Sequence, residues 1–363
     1  MHPPYRLLLL VCAVGIAVSH GPTDTTRKID TLRQAGWGKR SEVLPRTVIL
    51  YRVYRGWWDR AAIVSPYDLL LSKLEDRFDR FIASVDHWRR QLSRYENRQL
   101  MDGVWRNDYA KAMKAAEDQQ KMLFIYFCDA CGDGACNRFK AETLDSPAVR
   151  QKLKNYVCVQ VPLDAKITVD GHEVRLLDHP AYQEMLGRSG IAIVDFRSSD
   201  PKLHGSVVSM FPITERLQYT PERMAVILDL PPGTLTQRTL IYAVRIHPEK
   251  PASTSGQPDS NLLKEAESQA GYQANVHVQG HQQWGTRFQR IIARLPGGLT
   301  AREVCAESWP GENLVEAAIE CVRCWRLSDG HWSAVRSPSR FFGYDMKRGS
   351  NGIWYATGIV GIR

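Results

Sequence analysis

The sequence predicts a mixed α/β protein: two helix-on-sheet sandwiches in series, preceded by one long amphipathic helix. Three observations carry that reading. Apolar residues at Leu71, Leu74, Phe78, Phe81, Val85, Trp88 and Leu92 recur at 3-4 spacing, the seam of a heptad helix. From Trp105 to about residue 230, short apolar runs alternate with helical patterns. Beyond the Pro- and Gly-rich "DLPPGTLT" (229–236), several helical patterns lead to "FFGYDMKRGSNGIWYATGIVG", two strands about a Gly-Ser-Asn-Gly turn.

The elements follow in order. "MHPPYR" is a basic start, "LLLLVCAVGIAV" an apolar core, and Ala17-Val18-Ser19 a small-residue cleavage site, so residues 1–19 read as a signal peptide. The apolar core is too short to span a bilayer comfortably. The mature chain is expected to begin near His20, outside the cytosol, in the secreted or periplasmic space. Residues 20–64 form a polar leader broken by Gly and Pro, and Ser65-Pro66 opens the heptad helix of residues 65–100. The stretch 71–92 either pairs two copies into a homo-dimer or docks the helix on its own chain. Composition adds one exclusion. The net charge is +9, but no basic run is long enough to name a nucleic acid; a basic surface suits an acidic surface or an envelope polymer.

Within residues 101–232, "DYAKAMKAAEDQQ" reads as a helix and "KMLFIYF" as a buried strand. "ACNRFKAETL" and "SPAVRQKLKN" are helical, "YVCVQVPL" is a second strand and "HPAYQEML" a short helix. "GIAIVDF" and "HGSVVSMFP" are strands, and "TPERMAVIL" closes with a helix. The segment 229–236 reads as a hinge to residues 235–363. There, helices are expected at Leu235 to Ile246, from Asn261, around His281 to Arg294, and at Asn313 to Leu327.

Export gives the cysteines a redox meaning. Cys12 aside, seven remain: Cys128, Cys131, Cys136, Cys158, Cys305, Cys321 and Cys324. Three lie in "CDACGDGACNRF", between a strand and a helix. This order, after a "W..dy..A...A" opening, resembles the exported thioredoxin-like domains. The resemblance implies a nucleophilic cysteine at a helix N-terminus, a resolving cysteine three residues on, and a cis-proline facing them. Cys136 would be the resolving cysteine, but Asp133 then stands at the nucleophile position and Ala192 at the proline position, where a trans bond is expected. The redox site is thus read as degenerate. Open alternatives are thiol–disulfide exchange by Cys128, Cys131 and Cys136, a structural Cys128–Cys131 or Cys131–Cys136 bridge, and unbridged thiols; zinc on the three lacks an obvious fourth ligand.

In residues 235–363, an Arg-ended helix is followed by "GHQQWGTRFQRI", "AREVCAES", "VRCWRLSDGHW", "FGYDM" and "GIWYATGIVG". These resemble, in order, the motifs of the CAP superfamily of cysteine-rich secretory and pathogenesis-related (SCP-like) proteins in its compact bacterial form. The resemblance implies a CAP-type αβα sandwich whose cleft is lined by His281, Glu303 and His331. Asp329, Trp332 and Val304 depart from the family pattern. Two imidazoles and one carboxylate would leave an open position on Zn²⁺; equally, the carboxylate can orient an imidazole in a hydrogen-bonded cluster. His331 taken alone can be a helix-terminal histidine satisfied by carbonyls. Ser308 and Ser328 sit on no nucleophile elbow. Cys321 and Cys324 lie on one helix, where a direct bridge is strained, and one of them is a candidate partner for Cys305. The resulting expectation is an exported binding protein for an extracytoplasmic ligand or partner. A thiol–disulfide oxidoreductase and a metal-dependent hydrolase at His281/Glu303/His331 are the alternatives.

Overall fold

The computed structural model describes residues 105–128, 134–169 and 171–362. The expected signal peptide, leader and heptad helix, the dimer seam at 71–92, and the positions of Cys131 and Asp133 lie outside the described residues. No helix of the described residues is long and apolar enough to cross a membrane.

The first sheet is assembled from β1 (Trp105–Arg106), β2 (Met122–Phe127), β3 (Tyr156–Val161), β6 (Gly190–Asp195) and β7 (Ser206–Pro212). Its order is β1-β3-β2-β6-β7, with β1, β3 and β2 parallel and β6 and β7 antiparallel additions. The run "MLFIYF" makes β2 central because both of its faces are apolar. Phe124 and Tyr126 pack on one side, with Leu144, Val149 and Met224, while Leu123, Ile125 and Phe127 pack on the other, with Ala112, Ala116 and Tyr182. Helix α1 (Tyr109–Asp118) covers the second side, and α3 (Pro147–Leu153) and α4 (Pro221–Leu228) cover the first. Helix α2 (Gly134–Arg138) runs on as a π-helical turn over Phe139–Leu144. The expected "HPAYQEML" helix is a 3₁₀ segment, Pro180–Met185. A separate hairpin, β4 (Lys166–Val169) and β5 (His172–Arg175), turns at Gly171 with φ 81°.

The second sheet has the order β8-β10-β11-β9, from β8 (Gln257–Pro258), β9 (Thr300–Glu307), β10 (Phe341–Arg348) and β11 (Trp354–Ile362). Every residue of β11 is buried because helices lie on both faces. Helices α5 (Leu235–Arg245) and α8 (Leu314–Arg326) share a core with Val304, Phe342, Tyr344 and Ala356. Helices α6 (Ser260–Val276) and α7 (Trp284–Ile292) meet Ala301 and Ile359 on the other side through Leu262, Ala266 and Ile291. A short α9 (Asp329–Arg336) follows α8.

The segment 229–236 is not a hinge. Helix α5 packs against both sheets: the rings of Phe211 in β7 and Tyr242 in α5 stand 4.7 Å apart, edge to face. Arg238, fully buried, donates from Nε to Ser209 Oγ of β7 at 2.8 Å, and from Nη1 to the carbonyls of Leu230 and Pro231 at 2.9 and 2.8 Å. Thr234 and Gln237 close a capping box at the start of α5. The Pro/Gly composition marks a tight connection rather than a flexible one.

Candidate functional site

The site is built on the second sheet. Helix α6 ends where His277 turns left-handed at φ 57°, and three inward glutamines hold the loop that follows. Gln273 Oε1 accepts from the Gly280 amide at 3.0 Å, Gln269 Nε2 donates to the Gly280 carbonyl at 2.9 Å, and Gln279 Nε2 donates to the Cys305 carbonyl at 3.1 Å. This loop delivers His281. Glu303 stands in β9, on the same side of the strand as Ala301, and its side chain is 1% exposed. No strand is expected from the sequence over "AREVCAES". A charged residue in mid-strand breaks the apolar alternation that would have announced β9.

Glu303 is buried but not unpaired. Arg287, from the first turn of α7, places Nη1 3.2 Å from Oε1 and Nη2 against Oε2, a two-pronged ion pair closed off from water. Arg287 also donates to the Gln282 carbonyl and stacks over Trp284 at 5.4 Å. Oε1 of the same carboxylate lies 3.0 Å from His281 Nδ1. A carboxylate only accepts, so Nδ1 carries the proton and the Nε2 side of His281 is turned outward. There it meets His331 Nε2 at 3.1 Å. His331 sits in the first turn of α9, not at a helix C-terminus. Burial first, then the neighbouring His281, lowers the His331 pKa below the usual imidazole value. One proton lies between the two Nε2 atoms; two would collide.

Sequence reading named His281, Glu303 and His331, and the fold brings the three together. It missed Arg287, which shares the buried stripe of α7 with Ile291 and so looks like a spacing accident. The available signal was a long cation on an otherwise apolar helix face, a residue rarely buried without a partner.

The residues present do not fit a zinc ion on the His281/Glu303/His331 set. Both carboxylate oxygens are engaged by Arg287, and one also by His281. Cys305 lies close enough to His281 and Glu303 to suggest ligation, but burial and the adjacent Glu303 push its thiol well above the usual range. Two imidazole nitrogens remain, half of a tetrahedral set.

At the thioredoxin-like end, Cys128 and Cys136 are buried, at 5% and 2% exposure. Cys136 donates from Sγ to Ser189 Oγ at 3.2 Å, and its carbonyl accepts from Tyr126 at 2.9 Å. Ser189, directly before β6, therefore faces Cys136, and Ala192 does not. Ala192 lies inside β6, opposite Ile125 and Met210. Gly190 beside Ser189 has no room for a side chain, since a Cβ would stand 2.5 Å from the Phe211 carbonyl. No cis peptide bond occurs among the described residues. Cys158, Cys305, Cys321 and Cys324 are free thiols, so the Cys305 pairing is not formed. Burial holds Cys158 up at about 12 and raises Cys321 and Cys324 as well.

A family model described as thioredoxin-like matches residues 104–181. No curated protein matches the chain. Among solved structures, an outer surface protein of Borrelia burgdorferi is similar at 22% identity and a TM-score of 0.24, over 30% of this chain and 77% of that one.

Proposed function

We propose that this chain, thioredoxin-like over residues 104–181, is an exported binding protein that engages an extracytoplasmic ligand through a CAP-like cleft at His281 and His331, while its thioredoxin-like region serves as scaffold. One observation carries the reading: a buried Arg287–Glu303 pair fixes His281 and presents its Nε2 beside His331 at 3.1 Å on an open surface. A ligand hydroxyl that enters between the two rings can accept from His331 Nε2–H and donate to His281 Nε2, which suits a hydroxyl-rich ligand such as an envelope polysaccharide. Among the described residues, no serine or thiol is hydrogen-bonded to either imidazole ring. The burial of Cys136, 2% exposed, argues against an accessible redox thiol at that position.

The test is sedimentation of the full chain with insoluble envelope polysaccharide. The wild type is expected in the pellet and the His281→Ala/His331→Ala double variant in the supernatant. Equal sedimentation of both contradicts the cleft. Insulin reduction above background that is lost in Cys136→Ser would instead favour the oxidoreductase.

A further inference from the structure

A second feature lies at the end of the first sheet far from Cys128, where β2 and β3 begin and β6 ends. A pocket of about 250 Å³ opens there, lined among others by Lys152, Asn155, Tyr156, Arg197 and Asp229. Its surroundings hold more positive than negative charge. Lys152 and Asp229 cancel, with Nζ 2.6 and 2.7 Å from the two carboxylate oxygens. Asp195 is buried, and its Oδ1 accepts the backbone amides of Arg197 and Ser198 at 2.8 and 2.9 Å. Three guanidiniums remain: Arg197 at the wall, and Arg238 and Arg245 behind it. Arg245 donates to the Asp229 carbonyl and to Thr254, and Arg238 to Ser209, Leu230 and Pro231, so both spend their donors on neutral oxygens. No described carboxylate pairs with any of the three side chains. Arg238 is 0% exposed, yet its Nη2 finds no hydrogen-bond partner among the described residues.

A buried guanidinium with no carboxylate in direct contact is costly, and proteins ordinarily give it a paired carboxylate or a bound anion. Burial lowers the pKa of Arg238 to about 10; the negative charge of buried Asp195 reaches it and partly offsets this, while Arg197 at the pocket adds to it. Arg197 is exposed and can close over an arriving ligand. Asn155 and the Tyr156 ring complete a wall that can donate and stack.

We propose that this pocket binds a small oxyanion, a phosphate or carboxylate group, held by Arg197 at its mouth and by Arg238 beneath, which among the described residues has no carboxylate in direct contact and an unpartnered Nη2. The site is separate from the His281 cleft and does not rest on it.

The experiment is isothermal titration of the full chain with inorganic phosphate at constant ionic strength. The expected result is a saturable heat with Kd at or below about 1 mM. Arg197→Ala removes the exposed clamp without opening the core and should weaken binding by about tenfold, the loss of one charge-assisted contact. Lys264→Ala, on the exposed face of α6, should leave it unchanged. Weakening by Arg197→Ala of threefold or more supports the site. No saturable heat in the wild type, a smaller effect of Arg197→Ala, or an equal loss in Lys264→Ala overturns it.

Discussion

At the scale of single residues, the behaviour of the cleft follows from one carboxylate. Glu303→Gln keeps the shape but leaves the buried Arg287 with no counter-charge, and breaking a buried pair from one side costs about 3–5 kcal/mol. His281→Ala removes two hydrogen bonds at a half-exposed ring while Arg287 keeps Glu303 paired, and should cost about 1–2 kcal/mol. Urea titration of both variants checks the ranking, and a costlier His281→Ala would contradict it. The depressed pKa of His331 has a definite sign. The unfolded chain, near 6.5, binds the proton more tightly than the folded one. The contribution to stability is therefore intact above about pH 6.5 and is lost as pH falls through the lower folded value. Proton NMR of the His331 ring should titrate below 6.5 and move back part of the way in His281→Ala; a value above 6.5 would contradict the burial. The three motif residues were legible only through the resemblance of the stretches around them to the CAP motifs. Arg287 and Ser189 were not: each acquires its role only when a helix or strand end is brought against another segment.

At the scale of elements, close backbone approach sets the second sandwich. A Cβ on Gly343 of β10 would stand 2.2 Å from the carbonyl carbon of Leu262 and 2.4 Å from the Leu263 amide of α6, so strand and helix touch backbone to backbone there. Gly343→Ala must force them apart and should cost about 1–3 kcal/mol by chemical denaturation; a neutral effect would mean that α6 sits further out. The helices of this half were readable from their periodicity, and β10 and β11 from the Gly-Ser-Asn-Gly turn. Strand β9 was not, because Glu303 interrupts the pattern for the sake of the site. The β4–β5 hairpin escaped notice although Asp170-Gly171 between "KITV" and "HEVR" carries its turn signal. The π-helical turn at Phe139–Leu144 left no trace in spacing, since apolar contacts at Phe139 and Leu144 serve an α-helix equally well.

At the scale of the molecule, the sequence suggested two modules about a hinge, and the described residues instead share a core. Tyr242, Phe211 and Tyr219 join the sheets. Glu184 of the first half accepts the Leu314 amide at the start of α8, at 3.1 Å. The prediction is one cooperative transition, with amides of β2 and β11 opening at the same free energy in native-state hydrogen exchange; two separate values would restore the hinge. This rigidity keeps α8 and α9, and with them His331, in register with β9 and His281. The central claim is that Glu303, locked by Arg287, sets the tautomer of His281 and so aims its Nε2 at His331. Nitrogen-15 NMR of the imidazole rings at neutral pH tests it most directly. The account predicts that His281 carries its proton on Nδ1; a neutral ring protonated on Nε2 alone, with Nδ1 bare against the carboxylate, would contradict it.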